Sequence, residues 1–120
     1  MAKDKKKIMV VDDEEDQLDF YSMVLEDSGY EVITAKNGKE ALDAARREKP
    51  DLVVLDLMMP NQTGTDFYRK LSREKELKDT PIIVVSALSY RYLAVKRAAA
   101  VFDKPVDREK FLEAVGKALA

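Results

Sequence analysis

The 120-residue chain contains no cysteine and no histidine. Without cysteine it can form neither disulfides nor thiolate nucleophiles nor thiolate metal sites, a usage that fits the cytosol, and a cytoplasmic location is expected. Without histidine it has no imidazole base, imidazole ligand or phosphohistidine of its own, so any such group must come from a partner. Long apolar runs are also missing. The first one, Ile8-Met9-Val10-Val11, gives way after four residues to the acids from Asp12 to Asp16, which disfavours a signal peptide and membrane insertion. No glycine-rich phosphate loop, internal repeat, linker or low-complexity segment is visible. Neither sign of charge dominates: 21 Lys and Arg face 23 Asp and Glu, for a net charge of -2 and a pI near 5.3. That balance is a poor footprint for direct nucleic-acid binding. Lys3, Lys5, Lys6 and Lys7 read as a solubilising, frayed start.

A chain of this length suits one ordinary domain, in which roughly two-thirds of the surface of the unfolded chain becomes buried. The hydrophobic fraction of 46% permits one substantial core, and the 37% of charged residues gives it a well-solvated exterior. Short apolar runs alternate with helical patterns throughout. Ile8-Met9-Val10-Val11 reads as a strand, and Leu18, Tyr21, Val24 and Leu25 recur at helical spacing before Gly29 ends the helix. Residues 30–35 give a second strand, and Asn37-Gly38 opens a helix containing Ala41, Leu42 and Ala45 that ends before Pro50. Leu52-Val53-Val54-Leu55 is apolar on both faces, as a central parallel strand must be. Pro60 and Gly64 bracket a turn, after which Phe67, Tyr68 and Leu71 mark a third helix, followed by a strand at Ile82-Ile83-Val84-Val85. A short helix over residues 90–99, a brief strand at Val101-Phe102 and a last helix capped by Asp107, with Phe111, Leu112, Val115 and Leu119 inward, complete the pattern.

The expected class is therefore α/β: a doubly wound, five-stranded parallel sheet in a flavodoxin-like (βα)5 three-layer sandwich. One domain is expected over residues 1–120, with its ordered core about 6–119. In such a sheet ligands bind at the carboxyl ends of the strands. Asp12, Asp13, Asp56, Ser86 and Lys104 all fall at those ends. Taken singly, each has an ordinary explanation: Asp12 and Asp13 as caps or loop acids, Asp56 as a turn acid, Ser86 as the start of a helix, and Lys104 as a solvated lysine beside a proline. Met58 and Met59 are ordinarily packing residues. Ordinary residues need not all land on one edge, and together they suggest a site.

Three converging carboxylates without histidine or cysteine favour a hard cation, Mg²⁺ above all, with Mn²⁺ as a substitute. Calcium is disfavoured because no EF-hand spacing of oxygen ligands is present. Without a cation the acids repel one another and cost stability. Asp56 follows the most completely apolar strand, and a carboxylate so placed can act as a nucleophile toward phosphorus. In that case Lys104 offsets charge on the phosphoryl oxygens and the Ser86 hydroxyl donates to one of them. If Met58 contributes to the cation, its backbone carbonyl is the suitable atom.

At this point the sequence resembles the receiver domain of two-component response regulators, the CheY-like family, along essentially its whole length. The matching pieces are Val10-Val11-Asp12-Asp13-Glu14, Asp56-Leu57-Met58-Met59-Pro60 with Gly64 after it, Ser86-Ala87, and Lys104-Pro105. The resemblance implies that Asp56 is the phosphorylated aspartate, that Asp13, Asp56 and the Met58 carbonyl are Mg²⁺ ligands, and that Asp12 orders metal-bound water. It also implies that Ser86 is the switch hydroxyl and that Lys104 contacts phosphate. The implied donor is a phosphohistidine on a sensor histidine kinase or histidine phosphotransfer protein, in keeping with the absence of histidine here. The implied activity is signalling through contacts with a downstream protein rather than enzymatic turnover, with slow self-dephosphorylation because Met58 and Leu88 border the path of hydrolytic water.

Two departures from the family pattern bear on switching. Val101 stands where Tyr or Phe is usual, and Phe102 lies one residue later, on the opposite face of the strand. Phe102 is therefore expected in the helix-packed core. Lys104 stands 18 positions after Ser86, about four fewer than usual, or roughly one helical turn. Tyr90, Arg91 and Tyr92 are candidates for a contact patch there. Two other functional classes fit these residues less well. A Mg²⁺-dependent phosphohydrolase could share the aspartate nucleophile, but phosphatases of the haloacid-dehalogenase type resemble Asp-x-Asp, and Met58 replaces the second acid. A cofactor module or an unphosphorylated pseudo-receiver is disfavoured by the missing glycine-rich loop and by the intact acidic set.

Overall fold

The computed structural model describes residues 5–56, 63–86, 100–103 and 106–120, with backbone only at 63–65, 86, 100–101 and 103. The described elements run in the order β1 (Lys7–Val11), α1 (Glu15–Asp27), β2 (Glu31–Ala35), α2 (Gly38–Glu48), β3 (Leu52–Asp56), α3 (Thr63–Arg73), β4 (Ile82–Ser86), β5 (Ala100–Asp103) and α4 (Arg108–Leu119). The helix expected over 90–99, and with it the Tyr90-Arg91-Tyr92 patch, lies outside the described residues. Gly64, expected in a turn, is instead the second residue of α3.

The strands form one parallel sheet in the order β2-β1-β3-β4-β5. β1 pairs with β2 through Val10↔Thr34 and with β3 through Val10↔Val54, so the chain order reverses direction between β1 and β3. That reversal opens a crevice at the carboxyl ends of β1 and β3.

Strand alternation divides the core in two. Met9, Val11, Val53, Leu55, Ile82 and Val84 pack with α2 and α3, chiefly against Ala41, Ala45, Phe67 and Leu71. On the other face Ile8, Val10, Leu52, Val54, Ile83 and Val85 pack with Leu18, Tyr21 and Leu25 of α1 and Phe111 and Val115 of α4. β1, β3 and β4 thus bury both faces, which explains why their sequences are continuous apolar runs rather than alternating ones, whereas the edge strand β2 exposes Glu31 and Thr34. Phe102 packs on the α1/α4 side, its ring 6.0 Å from Phe111 in an edge-on arrangement. The one-residue offset from Val101 accounts for that placement.

Local chemistry fixes where the helices start and stop. Asn37 Oδ1 accepts from the Glu40 N–H at 2.8 Å and Glu40 Oε1 accepts from the Lys36 N–H at 3.1 Å, which closes the start of α2 from both sides. Asp107 Oδ1 accepts from the Lys110 N–H at 3.1 Å at the start of α4. α1 leaves through Ser28 and Gly29, the latter at φ +95, where glycine carries no Cβ penalty.

α2 leaves through Lys49 at φ 48, the left-handed region that a side chain makes costly. Lys49→Gly should stabilise the fold by about 0.5–1 kcal/mol, the relief of Cβ strain exceeding the added freedom of the unfolded chain. The Lys49–Glu76 ion pair lost with it is exposed and contributes little. Urea unfolding monitored by circular dichroism would show the gain as a higher midpoint at unchanged slope.

Candidate functional site

Asp12 directly follows β1, and Asp56 is the last residue of β3. Because side chains alternate across a strand, Asp12 continues the row Ile8–Val10 and Asp56 the row Leu52–Val54. Both rows pack beneath α1 and α4. The adjacent strands therefore deliver two carboxylates to one side of the crevice. Asp12 is 1% exposed and Asp56 4%. Asp13, next along the chain, is exposed. One oxygen from each of Asp12, Asp13 and Asp56 falls within 4.8 Å of the others.

Backbone contacts hold the rim of this pocket. The Asp12 N–H donates to the Ala35 carbonyl at 3.1 Å, which extends the β1–β2 pairing by one residue. Asp12 Oδ1 accepts from the Glu14 N–H at 3.0 Å, so Asp12 also serves the start of α1, where Glu14 provides no side-chain cap. The capping explanation and the site explanation thus hold together for Asp12. Glu15 and Asp16 sit in the first turn of α1, where its positive end offsets some of the local negative charge.

The other expected residues are placed only in part. Ser86 ends β4, one position beyond Val85, the residue paired with Asp56, and it pairs with Asp103 of β5. Its backbone is therefore at the same edge as the acids. Met58, Lys104 and Leu88 lie outside the described residues.

Tyr21 belongs to the site's surroundings, although its sequence pattern marks it only as a core residue of α1. It is 2% exposed and lies in the same cluster as Val10 and Val54. Burial pushes its phenol well above the ordinary tyrosine range, and the charges of Asp12 and then Asp56 push it further in the same direction. The signal in the sequence was the coincidence of two periods, with Tyr21 on the inward stripe of α1 and Asp12 on the strand row that this stripe covers.

Three hard carboxylate donors in this arrangement suit a divalent cation that prefers oxygen. No described helix is long and apolar enough to cross a membrane.

Comparison with known proteins agrees with the fold. A family model described as the response regulator receiver domain matches residues 8–116. The polar-differentiation response regulator DivK of Brucella anthropi is 32% identical over 114 residues, covering 92% of this chain and 93% of that one. The Vibrio cholerae chemotaxis protein CheY4 superposes with a TM-score of 0.89 at 30% identity, over 97% of this chain and 100% of that one. Thermotoga maritima TrrA, solved in complex with Mg²⁺-BeF, gives a TM-score of 0.85 at 36% identity, over 95% and 99%. The chain belongs to the response regulator receiver domain family, with the flavodoxin-like fold of CheY.

Proposed function

We propose that this receiver domain is a phosphoacceptor: Asp56 takes a phosphoryl group from a phosphohistidine on a sensor histidine kinase or histidine phosphotransfer protein, and the change alters its contacts with a downstream protein. The observation that carries this reading is the convergence of Asp12, Asp13 and Asp56 within 4.8 Å at the reversal point of the sheet. An Oδ of Asp56 forms the new O–P bond as the N–P bond of the partner's phosphohistidine breaks. The electron pair of that bond returns to the partner's imidazole, which takes up a proton. Asp56 is suited to the role because its backbone is fixed between β1 and β4 and its carboxylate is held out of bulk water.

The donor set fits Mg²⁺, with Mn²⁺ as a substitute, and the Mg²⁺-BeF complex of TrrA supports that assignment. Asp13, Asp56 and the Met58 carbonyl would hold the ion and Asp12 would order its water, while the bound ion would offset charge on the phosphoryl oxygens. Ser86 donates a hydrogen bond to one of those oxygens and Lys104 neutralises another.

Incubation with an acyl-phosphate donor and Mg²⁺ should add one phosphoryl group, found by intact mass and located on Asp56 by peptide analysis. Modification elsewhere, or uptake indifferent to Mg²⁺, would overturn the assignment. The aspartyl-phosphate should then decay slowly, because neither Met58 nor Leu88 can orient water through a strong side-chain hydrogen bond. Met58→Asn with Leu88→Glu should quicken the loss without preventing uptake.

A further inference from the structure

The α2/α3 layer carries a cleft of about 430 Å³ that shares no residue with the acidic pocket. Ala41, Ala45 and Leu71 bury the inward sides of the two helices against the sheet. The floor of the cleft is apolar, made by Phe67 and by Leu42, which at 8% is the most exposed of the buried hydrophobic residues. Its rim is charged: Lys39, Asp43 and Arg46 line it from α2, and Asp66 and Lys70 from α3. Most of these charges are already answered. Arg46 Nε donates to Glu74 at 2.8 Å and also feels the charge of Asp43, while Asp66 pairs with Arg69 at 3.2 Å. Lys39 and Lys70 are exposed and form no ion pair with any described residue. The cleft therefore combines an apolar floor with two unanswered positive charges, one on each helix.

We propose that this cleft binds a small organic dianion with a flat apolar body, whose acidic groups meet Lys39 and Lys70 while the body lies over Leu42 and Phe67. Its volume falls within the roughly 300–1,000 Å³ of small-molecule sites, which join apolar lining to a few polar groups in the same way. The methylene stems of the lysines cover the flanks of the body and leave the ammonium groups at the rim for the acidic groups. An inorganic anion would leave the floor wet, a neutral apolar molecule would leave the lysines unanswered, and a cation would be repelled by them. The walls are set before a ligand arrives. Asn37 and Glu40 close the start of α2, and the Arg46–Glu74 bond ties the later part of α2 to the segment that follows α3. Preorganisation of this kind lowers the ordering cost of binding. The proposal stands apart from the phosphoacceptor reading, since Asp12, Asp13 and Asp56 do not line the cleft.

Naphthalenedicarboxylate is the probe, titrated without Mg²⁺ at constant ionic strength and followed by the methyl shifts of Leu42 and the ring shifts of Phe67. Both should move with one saturable midpoint, while amides near Asp13 stay still. Lys39→Gln combined with Lys70→Gln should weaken binding by about threefold for each exposed ion pair and so by about tenfold together. Asp43→Asn serves as the control for surface charge and should bind at least as tightly as the native chain. All three substituted residues are exposed, so the variants should fold as the native chain does. The neutral dimethyl ester of the probe should bind about tenfold more weakly and ignore the lysine changes, and inorganic phosphate should leave Leu42 and Phe67 unmoved. Native affinity in the double lysine variant, or equal affinity for the ester, would overturn the proposal. Phosphate shifting Leu42 and Phe67 as the probe does would remove the floor from the site, and the absence of saturable shifts in the native chain would remove the site altogether.

Discussion

Asp56→Asn should abolish uptake of the phosphoryl group and, in the absence of Mg²⁺, should unfold at a higher temperature than the native chain. Both effects follow from one substitution that keeps the shape and removes the charge. Asparagine presents no anionic oxygen to phosphorus, so the O–P bond cannot form and the modified mass should be absent. The stability gain comes from the company Asp56 keeps. Two carboxylates under 5% exposed and a third close by share a region within 4.8 Å. At that separation a like-charge pair repels by about 3 kcal/mol at an effective dielectric constant near 20. The favourable contacts that Asp56 makes are lost in the same change, which leaves an expected net gain of about 1 kcal/mol, or a few degrees in the unfolding midpoint. Mg²⁺ should reverse the order. A cation held by the native pocket at a hundredfold excess over its dissociation constant stabilises by about 2.7 kcal/mol. The variant, with one ligand neutralised, should gain far less. Calorimetry of both proteins with and without Mg²⁺ at constant ionic strength would display the crossing. A variant less stable than the native chain in the absence of the ion would contradict the repulsion argument, and parallel gains on adding Mg²⁺ would remove Asp56 from the site.

How far the sequence discloses this arrangement depends on the range of the interaction. Short-range chemistry is legible: Asn37 and Asp107 stand where caps belong and accept the expected N–H groups. So is the doubly buried sheet, because Leu52-Val53-Val54-Leu55 has no polar face to turn outward. The one-residue offset of Phe102 from Val101 translates directly into a choice of core, since the strand period is two. The edge that gathers the acids is legible too, once the strands are taken as parallel. Lys49 was hidden, because nothing in its side chain announces a left-handed turn and the requirement comes from α2 ending just ahead of Pro50. Tyr21 was hidden for a different reason. A tyrosine on the inward stripe of a helix is indistinguishable from any other core aromatic until the strand rows beneath it are known to end in Asp12 and Asp56. The turn of α3 also exceeded its sequence signal: Gly64 suggested a loop, whereas helical hydrogen bonding carries the chain through it.

Phe111→Ala should be the most damaging of the single core truncations on the α1/α4 side, lowering stability by about 3–5 kcal/mol. Phe111 is fully buried and stands between Tyr21, at 5.3 Å, and Phe102, at 6.0 Å, so its ring forms an aromatic bridge from α1 to β5. Removing it leaves a cavity bounded by two aromatic rings, whose bulk and fixed positions on α1 and β5 limit how far the surroundings can close around it. Val115, one turn later and equally buried, should cost less on truncation because fewer atoms are removed. Met23, 56% exposed on the outer side of α1, should change stability by no more than about 0.5 kcal/mol when replaced by alanine. The same cavity frees the Tyr21 ring on one side. Denaturant unfolding of the three variants gives the ranking, and a loss in Phe111→Ala no larger than that in Val115→Ala would contradict the bridging role of the Phe111 ring.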